Sequence, residues 1–247
     1  MDKTVAKALG LLETIALSDR PRGVTELSLE LGMTKANVHR LVKTLQQLGY
    51  LQQQEQGSQY LATLKLWELG SAITRRLAPA DIARPVLRAL CAKADESAQL
   101  AVLDGSTVVY VDKADSSHPL RATTQIGSRI PAHSVSCGKA ILAFSDRHRA
   151  RLEYPLAEYT PCTLKTKDEF EADMARAQAD GFAVNRGEWR EGIWGIAAPI
   201  HDANGEVVAS IGVWGSEQRF EGEATARLGA LVLDAATQVS AKLGYAV

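Results

Sequence analysis

The stretch "GMTKANVHRLVKTLQQLGY", residues 32–50, constrains this chain most. Val38, Leu41, Val42, Leu45 and Leu48 recur at helical spacing and make one apolar stripe. Thr34 stands where an N-cap belongs, and Gly32 and Gly49 stop the helices on either side. The opposite face carries Ala36, Arg40, Lys43 and Gln47, flanked by Lys35, Asn37 and His39. No acid occurs in the stretch; the nearest carboxylates are Glu30 and Glu55. The whole chain has a formal net charge of -1, so one helix kept free of negative charge points to a local contact with an anion.

The flanking sequence says what kind of contact. Upstream, "GVTELSLELG" reads as a short helix with Thr25 as its N-cap and Leu27 and Leu31 on one face. Before it, Val5, Leu9, Leu12 and Ile15 with Ala16 mark a first helix that ends at "SDRPRG". Downstream, "YLQQQ" and "SQYLA" around "EQG" predict a two-stranded hairpin. Two helices joined by a tight glycine-containing turn, the second with a basic polar face, form a helix-turn-helix, and the hairpin makes it winged. A helix lying in a DNA groove is surrounded by phosphates, and Coulomb repulsion excludes acids from it. The candidate DNA contacts are Arg22, Thr34, Lys35, Ala36, Asn37, His39, Arg40 and Lys43, with Ser58 on the wing. Residues 1–65 hold 8 Lys and Arg against 6 Asp and Glu, and the remainder 20 against 23. That small, local excess argues against bulk polyanion binding.

At 247 residues the chain is long enough to bury a core and holds one or two domains. Cys91, Cys137 and Cys162 are odd in number and lack CxxC spacing, so neither a disulfide framework nor a zinc site is suggested and a reducing cytoplasm is expected. No apolar run approaches the ~18 residues of a membrane span. Asp2 and Glu13 make the opening segment an amphipathic helix of the mature protein, not a signal peptide. Residues 64–77 are amphipathic through Leu64, Trp67, Leu69 and Ile73. They read as a linker helix packing against another chain, with an ordinary domain helix as the alternative. Pro79 offers a hinge near Ala78. The expected organisation is a DNA-binding domain at 1–63, a linker helix at 64–78 and a second domain at 79–247.

Beyond Glu96 the pattern changes. "SAQLAVLDG", "STVVYVDKA" and "PLRATTQIG" read as strands, "SCGKAILAF" as a short helix and "KDEFEADMARAQADG" as a longer one ending at Gly181. "FAVNR", "GIWGIAAPIHD" and "EVVASIGVW" are further strands, the last two joined by Asn204-Gly205, and a helix over roughly 221–243 closes the chain. Hairpins without βαβ regularity predict an α+β domain with one antiparallel sheet and helices against it.

The residues "KALGLLETIA", "TKANVHRLVKTLQQLGY", "LAVLDGSTVVYVDKADSSHPLRATTQIGSRIPAHSVSCGKAILAF" and "DGFAVNRGEWREGIWGIAAPIHDANGEVVASIGVWG", with a terminal "LGY", carry a resemblance over essentially the whole chain. The sequence resembles the IclR family of bacterial transcriptional regulators. The resemblance implies a winged helix-turn-helix, a linker helix and a GAF-like effector-binding domain. It also implies homodimers, often paired as tetramers, that bind double-stranded operator DNA and answer a small organic effector. No cofactor, metal or membrane association is expected, nor enzymatic activity.

In members of the family that sense small keto-acids, backbone amides at the positions of Ser136 and Cys137 hold the carboxylate. Gly138 follows, and a helix N-terminus suits an anion. Those members place an acid, a thiol and two hydroxyls at the positions of Asn185, Gly195, Gly212 and Trp214. This chain has an amide, two glycines and a tryptophan there, so its pocket is expected to be wider and more apolar. Alternation puts Ser210, Gly212 and Trp214 on one strand face, Gly195 inward and Trp194 outward. Leu120, Ala122, Thr124 and Ile126 share a face expected to line the pocket with Ile130. The expected function is a repressor of a catabolic operon with an aromatic or bulky organic acid or amide as effector.

Two other readings use the same residues. His133 and Cys137 could form a nucleophilic pair oriented by Asp112 or Asp115, giving a Cys/His hydrolase, although no nucleophile-elbow or metal-ligand spacing occurs. Alternatively Cys137, near a helix N-terminus and beside Lys139, could be a low-pKa thiol in a redox-sensing regulator.

Overall fold

The computed structural model describes residues 2–54, 57–74, 78–118 and 124–246. It separates into two compact units, Met1–Arg76 and Leu77–Val247.

The first unit contains α1 (Lys3–Ala16), β1 (Arg22–Gly23), α2 (Val24–Glu30), α3 (Lys35–Gln47), β2 (Leu51–Gln53), β3 (Gln59–Ala62) and α4 (Lys65–Thr74). Its core gathers Leu11, Leu12 and Ile15 of α1, Leu27 of α2, and Val38, Leu41, Val42 and Leu45 of α3, closed by Leu51 and Tyr60. Of the stripe expected in α1, Leu12 and Ile15 are buried, whereas Val5 and Leu9 are exposed and Leu11 takes a core place instead. The helix has apolar residues on two faces, and Leu11, Leu12 and Ile15 are the ones that meet α3. Leu48 is also exposed: it lies past the last turn of α3, where its carbonyl accepts a hydrogen bond from Lys65 Nζ (2.6 Å). Gly23, not Thr25, caps α2. The reason is a strand hidden in "RG", whose residues Arg22 and Gly23 pair with Tyr60 and Gln59 and give a three-stranded wing sheet in the order β1-β3-β2.

The second unit contains α5 (Ala78–Ala94), β4 (Ser97–Asp104), β5 (Thr107–Ala114), β6 (Arg129–Pro131), a 3-10 turn (Ala132–Ser134), α6 (Ser136–Ala143), α7 (Asp146–Arg149), α8 (Lys167–Asp180), β7 (Ala183–Arg186), β8 (Ile193–His201), β9 (Val207–Ser216) and α9 (Glu223–Lys242). The six strands form one antiparallel sheet in the order β6-β5-β4-β9-β8-β7. One face, through Leu100, Ile196, Ile211 and Val213, packs on α5 and α9. The other, through Ala101, Tyr110, Ala183 and Ala197, packs on α6 and α8. The unit is thus α+β with helices on both faces, and the period-two alternation of each strand supplies both cores.

Two details shape the second face. The 119–127 strand was expected to be continuous; residues 119–123 lie outside the described residues, and the rest is a turn. Gly127 has φ +87° there, and the Gln125 carbonyl accepts from Ser128 N (3.1 Å) and Ser128 Oγ (2.7 Å). Strand β6 starts after this turn, at Arg129. Between β4 and β5 the register shifts after Leu100, which pairs with Asp112 while Ala101 pairs with Tyr110. This bulge turns Tyr110 toward α6 and leaves Asp112 on the α5 side, bonded to Arg84 (2.9 Å).

Candidate functional site

The DNA-reading candidate is α3. Thr34 Oγ1 accepts from Asn37 N (3.3 Å) and so caps the helix, as the sequence suggests. Lys35, Ala36, His39, Arg40 and Lys43 are exposed, with Asn37 half-buried. Arg40 Nη2 donates to Asn37 Oδ1 (3.2 Å) and Lys43 Nζ to Gln46 Oε1 (3.3 Å). These contacts leave the three cations of α3 without a carboxylate partner among the described residues. Ser58 is exposed in the wing turn. Arg22 differs from the expectation. Its guanidinium pairs with Glu26 (3.0 Å) and with Glu30, its side chain is 12 % exposed, and it braces α2 against β1 instead of offering charge outward.

In the second unit, sheet register brings the expected effector residues into one row. Asn185 pairs with Gly195, Gly195 with Trp214, and Trp214 with Ser97, across β7, β8, β9 and β4. Above this row lies a cavity of about 450 Å³, within the ~300–1,000 Å³ typical of small-molecule sites. Thr124, Ile130, Ser136, Asn185, Gly195 and Trp214 line it as expected. Gln99, Tyr110, Trp189 and Arg190 join them, with Arg129 and Ile193. Trp194, sent outward by the alternation count, packs on the α5/α9 core and still borders the cavity.

Several expected lining residues do other work. Leu120 and Ala122 lie outside the described residues. Ile126 sits in the turn and is 59 % exposed. Gly138 presses on the 3-10 turn, where a Cβ would stand 2.1 Å from the Ala132 carbonyl oxygen. Gly212 makes room for its neighbour strand, its Cβ position lying 2.4 Å from Ile196 O and 2.6 Å from Ala197 Cβ. Neither glycine widens the cavity. Asn185 lines it with both ends of its amide engaged: Nδ2 donates to the Ser134 carbonyl and Oδ1 accepts from Gly187 N (3.2 Å).

Cys137 lies beneath the floor, fully buried, with Gln99 Nε2 3.7 Å from its Sγ. Burial pushes the thiol up to about 12, with Ser210 and Gln99 opposing only in part. This goes against the alternative reading of Cys137 as a low-pKa thiol. Lys139 does not activate it either, because its ammonium is bound to Asp173 and Glu188. The nucleophilic triad is also not assembled. His133 Nε2 meets the Ala157 carbonyl (3.0 Å), Asp112 is on the opposite sheet face, and Asp115 pairs with Lys113 (3.0 Å).

Comparison with known proteins agrees over both units. Residues 4–55 match the IclR helix-turn-helix domain, and residues 72–241 match the family described as bacterial transcriptional regulator IclR C-terminal. The chain belongs to the IclR family of bacterial transcriptional regulators. It is 34 % identical to the HTH-type transcriptional regulator KdgR of Escherichia coli over 250 residues, covering 98 % of this chain and 93 % of that protein. It is 32 % identical to KipR of Bacillus subtilis, covering 99 % and 98 %. The crystal structure of Thermotoga maritima IclR superposes with a TM-score of 0.85 at 27 % identity, over 98 % and 99 % of the two chains. Relatives in the family are DNA-binding transcriptional regulators, not enzymes. No described helix is long and apolar enough to cross a membrane.

Within this IclR-family frame, sequence reasoning missed Tyr110, Gln99, Trp189 and Arg190. Tyr110 stands next to a bulge that breaks the alternation of β5, whereas Gln99 follows the regular alternation of β4 on the same face as Ala101. Trp189 and Arg190 come from the loop after β7, which has no periodicity to read; only the aromatic residue beside an arginine marks it. Trp189 packs edge-on against Tyr159 (4.6 Å between centroids).

Proposed function

We propose that the protein is a repressor of a catabolic operon that leaves its operator when an aromatic or similarly bulky organic acid or amide occupies the cavity. The observation that carries the ligand class is the composition of the walls. Three of the four tryptophans, Trp189, Trp194 and Trp214, line the cavity with Arg129 and Arg190, and no described lining residue is acidic. Aromatic side chains offer a ring about 0.5–1.5 kcal/mol beyond its buried area. The first turn of α6, uncapped by any side chain, begins at Ser136 on the cavity lining, and the free backbone N–H groups of a helix N-terminus suit one carboxylate. A two-carbon keto-acid would leave most of this surface uncovered.

In this reading residues 1–63 bind operator DNA through Lys35, Ala36, Asn37, His39, Arg40 and Lys43, residues 64–78 link, and residues 79–247 bind effector. The chain acts as a homodimer, with a tetramer as a dimer of dimers, in the cytoplasm. Dimers match the two-fold half-sites that helix-turn-helix proteins read. The test is fluorescence anisotropy of a labelled fragment from the protein's own upstream region. Substituted benzoates should lower operator affinity, with pyruvate and glyoxylate inert. Release by pyruvate or glyoxylate alone would contradict the ligand class.

A further inference from the structure

A buried ion cluster ties together two segments that line the cavity, α6 and the loop after β7. Lys139, on α6, has no exposed surface. Its ammonium reaches Asp173 of α8 (2.6 Å), Glu188 of the loop after β7 (2.8 Å) and the Val184 carbonyl (2.6 Å). A buried ammonium must have such partners, because removing it from water costs several kcal/mol otherwise. The two carboxylates are not equivalent. Asp173 also meets the exposed Arg176 (2.7 Å) and sits on a helix that contributes no residue to this cavity. Glu188 immediately precedes Trp189 and Arg190, and its second oxygen accepts the backbone N–H of Arg186. One carboxylate therefore closes the loop on itself and ties it to the helix whose first residue, Ser136, also lines the cavity.

We infer that Glu188 is a positioning residue for effector recognition, holding Trp189 and Arg190 at the cavity by bridging Lys139 and the Arg186 amide. This rests on the proposed ligand cavity, but the tether itself is testable without any ligand. The Glu188 backbone carbonyl has a second hold, accepting from Thr163 Oγ1 (2.7 Å), so the loop stays attached when the carboxylate is altered. The carboxylate's contribution is direction, and it needs both oxygens. An amide has only one acceptor oxygen, so Glu188→Gln must drop either the Lys139 bond or the Arg186 bond.

The experiment compares Glu188→Gln with Asp173→Asn in the full chain. Both remove one negative charge from the same lysine and leave it one carboxylate, so a purely structural role predicts equal effects. Hydrogen exchange should quicken for the amides of residues 186–192 in Glu188→Gln, several-fold over wild type, and stay at wild-type rates there in Asp173→Asn. Titration with benzoate should then show about tenfold weaker binding for Glu188→Gln, and binding within twofold of wild type for Asp173→Asn. Equal exchange in the two variants, or loosened exchange in Glu188→Gln with unchanged benzoate affinity, would overturn the inference. If wild type does not take benzoate, the proposed ligand class falls while the exchange comparison still decides the tether.

Discussion

The hydroxyl of Ser136 occupies the space that a side chain at residue 195 would fill: a Cβ on Gly195 would lie 2.7 Å from Ser136 Oγ and 3.3 Å from the Val213 carbonyl oxygen. Helix α6 can approach β8 this closely only because residue 195 has no side chain. Gly195→Ala is expected to push the first turn of α6 outward and weaken benzoate binding about tenfold. Ser136→Ala in the same chain should restore most of it, because the remaining Cβ position is 3.5 Å away. Gly212→Ala should behave differently. Its Cβ meets backbone and Ala197, so overpacking should cost roughly 1–3 kcal/mol of stability, read by thermal unfolding, with no rescue by Ser136→Ala.

Cys137 should be inert to alkylation and peroxide at neutral pH, with the exposed Cys162 reacting first. A thiol held at about 12 in the fold and near 9 in the unfolded chain keeps its proton longer when folded. Its contribution to stability is therefore full below about pH 9 and is lost as pH rises toward 12. Alkylation kinetics followed by mass mapping checks the first expectation, and the alkaline limb of a stability profile, wild type against Cys137→Ser, checks the second. Rapid labelling of Cys137 in the native protein would contradict both.

On α3, Arg40→Ala should relax specificity at one operator position and cost roughly 1–3 kcal/mol if the guanidinium reads a base edge. Lys43→Ala should weaken all sequences alike and lower the salt slope by about one. Both residues are exposed, so both variants should fold normally. Leu41→Ala, which empties part of the small core, should cost roughly 2–5 kcal/mol. Operator titrations at several salt concentrations separate these outcomes, and unchanged affinity in both charge variants would remove α3 as the reader.

Trp67 of α4 is 71 % exposed and Leu64 just before the helix 76 %, an apolar surface that a single chain leaves in water. Large aromatics carry a disproportionate share of interface energy. Trp67→Glu is expected to give a smaller species in sedimentation velocity and to abolish binding to a two-fold operator. Wild-type sedimentation would sink the linker's role in assembly.

How much of this was legible depended on whether the signal was local. The cap at Thr34, the stripe from Val38 to Leu45 and the stop at Gly49 lie within one helix and could be read directly. The row Asn185, Gly195 and Trp214 came from the family resemblance, and strand alternation added only that Gly195 and Trp214 point inward, a signal that survives without knowledge of the partners. Legibility failed where pairing between distant segments decides. The bulge opposite Leu100 gives Tyr110 and Asp112, two residues apart, to opposite faces. The pairing of Arg22 and Gly23 with β3 moves the start of α2 and turns Arg22 from a surface cation into a brace. Gly212 looked like space for a ligand and is instead space for the backbone and side chain of the neighbouring strand. Lys139 read only as a charge beside a thiol, because nothing in its own segment announces Asp173 and Glu188.

The central claim is that a cavity walled by tryptophan and arginine selects a ring-bearing acid. Calorimetric titration of benzoate, pyruvate and glyoxylate into wild type and Trp214→Ala tests it most directly. Benzoate should bind wild type with a negative heat-capacity change from apolar burial and bind Trp214→Ala about tenfold more weakly, the keto-acids giving no measurable heat. Tight binding of pyruvate or glyoxylate that is indifferent to Trp214→Ala, with no heat from benzoate, would contradict the account.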